Sequence, residues 1–166
     1  NEVIKNGYFH TGDIGIIDSD GFLKITDRKK QLFKTSGGKY IAPQLIENKM
    51  KQSLFIEQII VVGEGKKMPG ALIQPSFDFI RNWAEEKKFK IGEKNNEICE
   101  NLILRDHIGK DIELLNKDFS QWEKIKKFEL TPDVWNIEDG HLTPTMKVKR
   151  KVIVEKYNNL IEKIYS

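Results

Sequence analysis

The sequence predicts an α+β fold in which two β-hairpins and a small mixed sheet pack with several helices. Three observations predict it. Turn-forming Asp-Ser-Asp-Gly and Thr-Ser-Gly-Gly segments divide short β-prone runs near the amino terminus. Two β-branched runs follow at 58–62 and 70–74, and beyond them apolar residues recur at helical spacing. At 166 residues the chain suffices for one core, or a main core with a small appendage, and a domain of this size buries roughly two-thirds of its unfolded surface.

Taken in order, residues 12–25 read as a hairpin, with Ile14, Ile16 and Ile17 facing Phe22, Leu23 and Ile25 across Asp18-Ser19-Asp20-Gly21. A second hairpin spans 30–41, where Leu32 and Phe33 lead into Thr35-Ser36-Gly37-Gly38 and Tyr40 and Ile41 return. Pro43 suits the first position of a helix running to about Ser53, because the donor it lacks has no partner there; Leu45, Ile46 and Met50 would face the core. Strands at 58–62 and 70–74 flank a turn at 63–69. Ile80, Trp83 and Ala84, then Ile108, Ile112, Leu115 and Phe119, mark two or three amphipathic helices between 77 and 119, with a charged link at 87–96. Short strands are expected at 127–130 and 134–137, with a turn at Asp139-Gly140. Ile153, Tyr157, Leu160, Ile161 and Ile164 form the core stripe of a closing helix.

Composition excludes several classes. With 39% hydrophobic and 32% charged residues the chain is neither disordered nor low in complexity. The net charge of +3 is the small difference between 28 basic and 25 acidic side chains, which argues against nucleic acid as a partner. No run approaches the roughly 20 apolar residues that span a bilayer. The one cysteine, Cys99, has no partner for an internal disulfide and reads as a structural thiol, in keeping with a cytoplasmic setting. The chain opens at Asn1 and passes directly into Val3 and Ile4, which reads as a segment of a longer protein.

Three clusters carry candidate chemistry. In Gly7-Tyr8-Phe9-His10-Thr11-Gly12-Asp13, the carboxylate of Asp13 can accept hydrogen bonds from both hydroxyls of a ribose; taken alone it reads equally as a turn residue bonded to its own backbone. In Asp27-Arg28-Lys29-Lys30, Arg28 offers a planar fork of donors to ribose or phosphate, while an isolated charge run is an ordinary solvated linker. The following Thr35-Ser36-Gly37-Gly38-Lys39 is not a nucleotide-triphosphatase loop, since Phe33 stands where the first glycine belongs and Tyr40 where Ser or Thr does. Third, Leu142-Thr143-Pro144-Thr145-Met146-Lys147 places a lysine between a turn and a helix, where its compact charge can balance a phosphate under attack. Alone, the run from Lys147 to Lys151 reads as a basic helix face or an anion-binding patch.

In this order the clusters resemble the carboxyl-terminal third of the adenylate-forming superfamily, which holds acyl-CoA synthetases, peptide-synthetase adenylation domains and beetle luciferase. Residues 8–13 resemble its Tyr-x-x-Thr-Gly-Asp motif, 27–30 its hinge motif, 35–43 the loop lining the pantetheine tunnel, and Thr143-x-Thr145-x-Lys147 its final motif. The resemblance implies that Asp13 and Arg28 bind nucleotide, that Lys30 is the hinge, that Ser36, Gly37, Gly38 and Lys39 line the coenzyme A tunnel, and that Lys147 is catalytic. It implies no metal site in this chain. Most relatives carry Gly directly before the final lysine, where Met146 stands here. That residue, with His10 and the long helical stretch, is most similar to the long-chain fatty acid branch.

The fold so implied is the lid domain of an adenylate-forming enzyme: residues 1–26 end the larger upstream domain, and 27–166 hold the hinge (27–30) and the lid. The implied substrates and ion are ATP, Mg2+, coenzyme A and a fatty acid, with the upstream domain of the same polypeptide as partner and with peripheral membrane contact assigned to the parent rather than to this chain. Rival readings are a fatty acyl-AMP ligase that loads a carrier protein, and a non-catalytic anion-binding module.

Overall fold

The computed structural model describes residues 4–28 and 31–166. The amino-terminal part is a series of two-stranded hairpins. β1 (Ile4–Lys5) pairs with β2 (Tyr8–Phe9) through Asn6 and Gly7, both at positive φ. Asn-Gly suits that turn because both central positions of a type I′ turn need φ above zero. This short hairpin was not among the expected elements.

β3 (Asp13–Ile17) and β4 (Leu23–Arg28) form the first expected hairpin, antiparallel, with Ile17 opposite Leu23 and a register shift at Ile14/Gly15. Its turn is closed by Asp18, whose Oδ1 accepts from the N–H of Asp20 (3.1 Å) and of Phe22 (2.9 Å). The apolar residues meet no core of their own: Ile16, Ile17, Phe22, Leu23 and Ile25 all stay exposed, Ile17 by 73%. β5 (Phe33–Lys34) and β6 (Tyr40–Ile41) form the second expected hairpin.

The core is organised by a three-stranded sheet of β7 (Ile56–Val62), β8 (Gly70–Pro75) and β9 (Phe128–Leu130), with β8 in the centre, antiparallel to β7 and parallel to β9. Every residue of β8 is buried, which accounts for its apolar run Ala71-Leu72-Ile73. Side chains alternate across the sheet. Ile59, Val61, Ala71 and Ile73 join one cluster with residues of α1 (Pro43–Met50), α2 (Phe77–Glu86), α3 (Asn95–Glu100) and α4 (Leu102–Leu115). Ile60, Val62 and Leu72 join the other, with Trp135, Leu142 and residues of α5 (Arg150–Lys156) and α6 (Asn158–Tyr165). The helices therefore cover both faces.

Pro43 opens α1 as expected, and Ile46 and Met50 are buried, but Leu45 is 36% exposed. α2 ends in a Schellman arrangement with Lys88 at φ 57: the N–H of Phe89 donates to Ala84 O (3.1 Å) and that of Lys88 to Glu85 O (3.0 Å). The Phe89 ring then meets Trp83 edge-on at 4.8 Å. Cys99 is buried in the first cluster, and burial pushes its thiol up to about 12.

Two expectations are corrected. Residues 134–137 are not a strand, because the N–H of Trp135 donates to the Gln74 side chain (2.8 Å) instead of entering a ladder, and the indole is buried in the second cluster. The closing helix is two helices, α5 and α6, broken at Tyr157 (φ −106, ψ 26), whose hydroxyl donates to Asp133 Oδ2 at 2.7 Å.

Candidate functional site

Asp13 opens β3 and is exposed; its N–H donates to Thr11 Oγ1 at 3.1 Å, and Gly12 before it turns the chain at φ 78. The register sets Asp13 directly opposite Arg28. The two residues expected to share one ribose therefore come to one end of one hairpin although 15 positions separate them. Lys30 lies outside the described residues.

The loop at residues 35–39 is held by Thr35. Its N–H donates to Lys39 O (2.9 Å), its Oγ1 accepts from the N–H of Lys39 (3.2 Å), and its carbonyl accepts from Gly38 (2.9 Å). Thr35 is buried, whereas Ser36, Gly37, Gly38 and Lys39 are exposed. The Ser36 N–H donates to Lys66 O (2.9 Å), and the Lys39 ammonium lies 4.9 Å from the centre of the Trp122 ring. Gly38 sits at φ 81, which explains glycine there. Gly37 has no positive φ, and a Cβ on it would meet nothing nearer than Thr35 Oγ1 at 4.0 Å. Nothing inside the described fold requires glycine at 37, so the loop presents an uncovered stretch of backbone.

Lys147 sits at the end of a tight turn. Thr143 closes it: its carbonyl accepts from Met146 N (2.8 Å), its N–H donates to Lys147 O (2.8 Å), and its Oγ1 accepts from Lys147 N (3.1 Å). A bridge between Leu142 and Val148 joins the two sides, with Leu142 fully buried. The turn forces Met146 to φ 60, a left-handed conformation that glycine adopts without strain. The left-handed conformation at position 146 is thus a requirement of the turn, which Met146 meets under strain.

The turn delivers Lys147, exposed, to a cleft of about 300 Å³ whose walls include Gln31, Gln44, Glu47, Lys51 and Arg150. None of the lining of this cleft comes from the 35–39 loop. Three charged residues of this cleft, part-buried Glu47 and Arg150 and exposed Lys51, were not singled out by motif reading. Glu47 and Arg150 form an ion pair, Arg150 Nη1 donates to Val61 O (2.6 Å), and Glu47 Oε1 accepts from the Val61 N–H (2.7 Å). Burial holds the Glu47 carboxyl above its ordinary range even though Arg150 and the Val61 N–H pull it down. Burial likewise lowers the ammonium of Lys51, which donates to Gln58 Oε1 (2.6 Å). Arg150 belonged to the basic run, but nothing local marks Glu47 as its partner.

Among the described residues no three His, Cys, Asp or Glu side chains stand together as a metal would require. No helix of the described residues is long and apolar enough to cross a membrane.

Residues 30–166 match the family of AMP-binding enzyme C-terminal domains. The long-chain-fatty-acid–CoA ligase FadD15 of Mycobacterium tuberculosis is 38% identical over 165 residues, covering 99% of this chain and 28% of that protein. Human long-chain-fatty-acid–CoA ligase 1 is 37% identical over 165 residues, covering 98% and 23%. Among solved structures, the adenylation domain of a carboxylate reductase from Mycobacterium chelonae superposes with a TM-score of 0.78 at 21% identity, over 99% of this chain and 24% of that one. A Mycobacterium tuberculosis fatty acyl CoA synthetase gives 0.54 at 23% identity, over 95% and 26%. The chain spans about a quarter of the length of the curated relatives it matches.

Proposed function

The chain belongs to the family of AMP-binding enzyme C-terminal domains, and on that premise we propose that it is the carboxyl-terminal lid of a long-chain fatty acid–CoA ligase. The observation that carries this is 35–38% identity with long-chain-fatty-acid–CoA ligases over essentially the whole chain. In the first half-reaction a fatty acid carboxylate oxygen attacks the α-phosphorus of Mg-ATP, forming an acyl–AMP anhydride as the bond to pyrophosphate breaks. In the second, the sulfur of coenzyme A attacks the acyl carbonyl, its proton is lost, and AMP departs.

Within that scheme Asp13 and Arg28 hold the ribose, and Lys147 is the catalytic cation that balances charge at the α-phosphate. Lys30 is the hinge. The 35–39 loop borders the pantetheine path, with Gly37 leaving room for close passage. This division is supported by the absence of the 35–39 loop from the lining of the Lys147 cleft, since a rotation can exchange one for the other at a single site. Residues 1–26 belong to the larger upstream domain and 27–166 to hinge and lid. The exposed apolar face of the β3–β4 hairpin supports that boundary, because such a face in water calls for a covering surface. The cytoplasm supplies ATP and coenzyme A, and any peripheral membrane contact falls to the rest of the parent.

The test is acid-dependent pyrophosphate release by the full-length parent across short, medium and long fatty acids, wild type against Lys147→Ala. Release that favours long acids and collapses in the variant, while thioester formation from supplied acyl-AMP persists, is the expected result. No release with any acid would sink the enzyme reading, and equal loss in both half-reactions would remove Lys147 from its role.

A further inference from the structure

Arg150 lies three residues beyond Lys147, opens α5, and lines the same cleft. Its two Nη atoms divide their work: one donates to Val61 O, and the other pairs with Glu47, whose carboxylate also takes the Val61 N–H. Val61 lies on β7, an outer strand of the sheet, and pairs with Ala71, whose own N–H turns away to Lys127 O. The polar groups of Val61 therefore point outward from the sheet, and Glu47 from α1 and Arg150 from α5 satisfy both of them. Neither side chain reaches water freely, at 13% and 27% exposure.

A buried ion pair adds little net stability, because desolvation offsets most of the Coulomb attraction. What it supplies here is registration. The guanidinium fork is planar, so contacts with a carboxylate and a carbonyl fix its direction as well as its distance. On the other side of the turn the base is fixed by buried Leu142 and by the Lys149 N–H donating to His141 O (2.8 Å). We propose that Arg150, paired with Glu47, is a positioning residue that locks the Lys147 turn to strand β7. This rests on the reading of Lys147 above. The ammonium then arrives at the α-phosphate at a height set by the sheet rather than by a loose loop. Gln31, directly after the proposed hinge, lines both of the clefts that Arg150 lines.

The experiment uses the full-length protein with Arg150→Lys, Glu47→Gln, Lys147→Ala and the double variant Lys147→Ala/Arg150→Lys. It measures kcat and KM for pyrophosphate release, thioester formation from supplied acyl-AMP, and the melting temperature of each. Arg150→Lys keeps the charge but loses the fork. Its adenylation kcat should fall about 10–100-fold, as a displacement near 1 Å can do, with KM and thioester formation within about twofold. Glu47→Gln, which retains an acceptor for Val61, should fall in the same direction by less. Because Arg150 works through Lys147, adding Arg150→Lys to Lys147→Ala should cause no further loss. Parallel loss in both half-reactions, multiplicative loss in the double variant, or normal adenylation by Arg150→Lys would each overturn the proposal. Unimpaired adenylation by Lys147→Ala alone would overturn both it and the reading beneath it.

Discussion

Gly37 and Gly38 are neighbours whose glycines have different causes, and substituting them separates fold from function. A Cβ on Gly38 meets only Lys34 Cε at an ordinary 3.7 Å, so the whole penalty of Gly38→Ala comes from holding φ at 81. That is worth about 1–2 kcal/mol, or roughly 3–6 °C in melting temperature for a chain of this size. At Gly37 no left-handed φ is needed, and Thr35 Oγ1 at 4.0 Å is the only atom a Cβ approaches. Gly37→Leu should therefore change stability by no more than about 0.5 kcal/mol. If pantetheine passes over this loop, the same substitution should cut thioester formation by about tenfold or more while adenylation stays near wild type. The assays are thermal unfolding of each variant and the two half-reactions in the full-length parent. Wild-type thioester formation by Gly37→Leu would refute the tunnel assignment, and a large melting shift at Gly37 with none at Gly38 would refute the conformational reasoning.

Lys88→Gly should stabilise the chain by about 1 kcal/mol in urea unfolding, because exposed Lys88 holds the left-handed position of the Schellman motif; a loss of stability would contradict this. Gly70→Ala should destabilise by about 1–3 kcal/mol, since its Cβ would lie 2.6 Å from Ile164 Cγ2 and 3.1 Å from the Tyr165 hydroxyl, forcing α6 off the sheet. An unchanged melting temperature would mean that α6 yields freely. His141 is buried, its Nε2 lies 3.0 Å from the Lys156 ammonium, and burial first and then Lys156 lower its pKa. A depressed folded value favours the neutral ring, so this stability is present above the unfolded pKa of about 6.5 and is lost as pH falls below it. Thermal midpoints followed from pH 7.5 to 5 should drop more steeply in the wild type than in His141→Gln, with equal slopes counting against His141 as the titrating group.

Some of this was legible because the signals are local. The 12–25 hairpin followed from Asp18-Ser19-Asp20-Gly21, since one side chain and one positive φ close the turn within five residues. The start of α1 followed from Pro43 for the same reason, and the strand at β8 from its short apolar run. The candidate residues were visible as motifs, and the Asn6-Gly7 hairpin, though overlooked, had its turn signal in plain view. The strand expected at 134–137 failed because apolar pattern alone does not reveal that Gln74, 61 positions away, takes the Trp135 N–H.

Taken alone, the sequence determined what depends on a few neighbouring residues: turn positions, the period of the apolar stripes, and the chemical types that Asp13, Arg28 and Lys147 bring. Tertiary structure decided which distant groups share a desolvated space. It inserted β9 beside β8, set Asp13 opposite Arg28, broke the last helix at Tyr157, and joined Glu47 to Arg150 across 103 positions beneath the lysine turn. The reason is physical: φ preferences and periodicity act within a turn or two of chain. The partner of a buried charge is chosen by packing, because only the assembled core removes the water that would otherwise satisfy it.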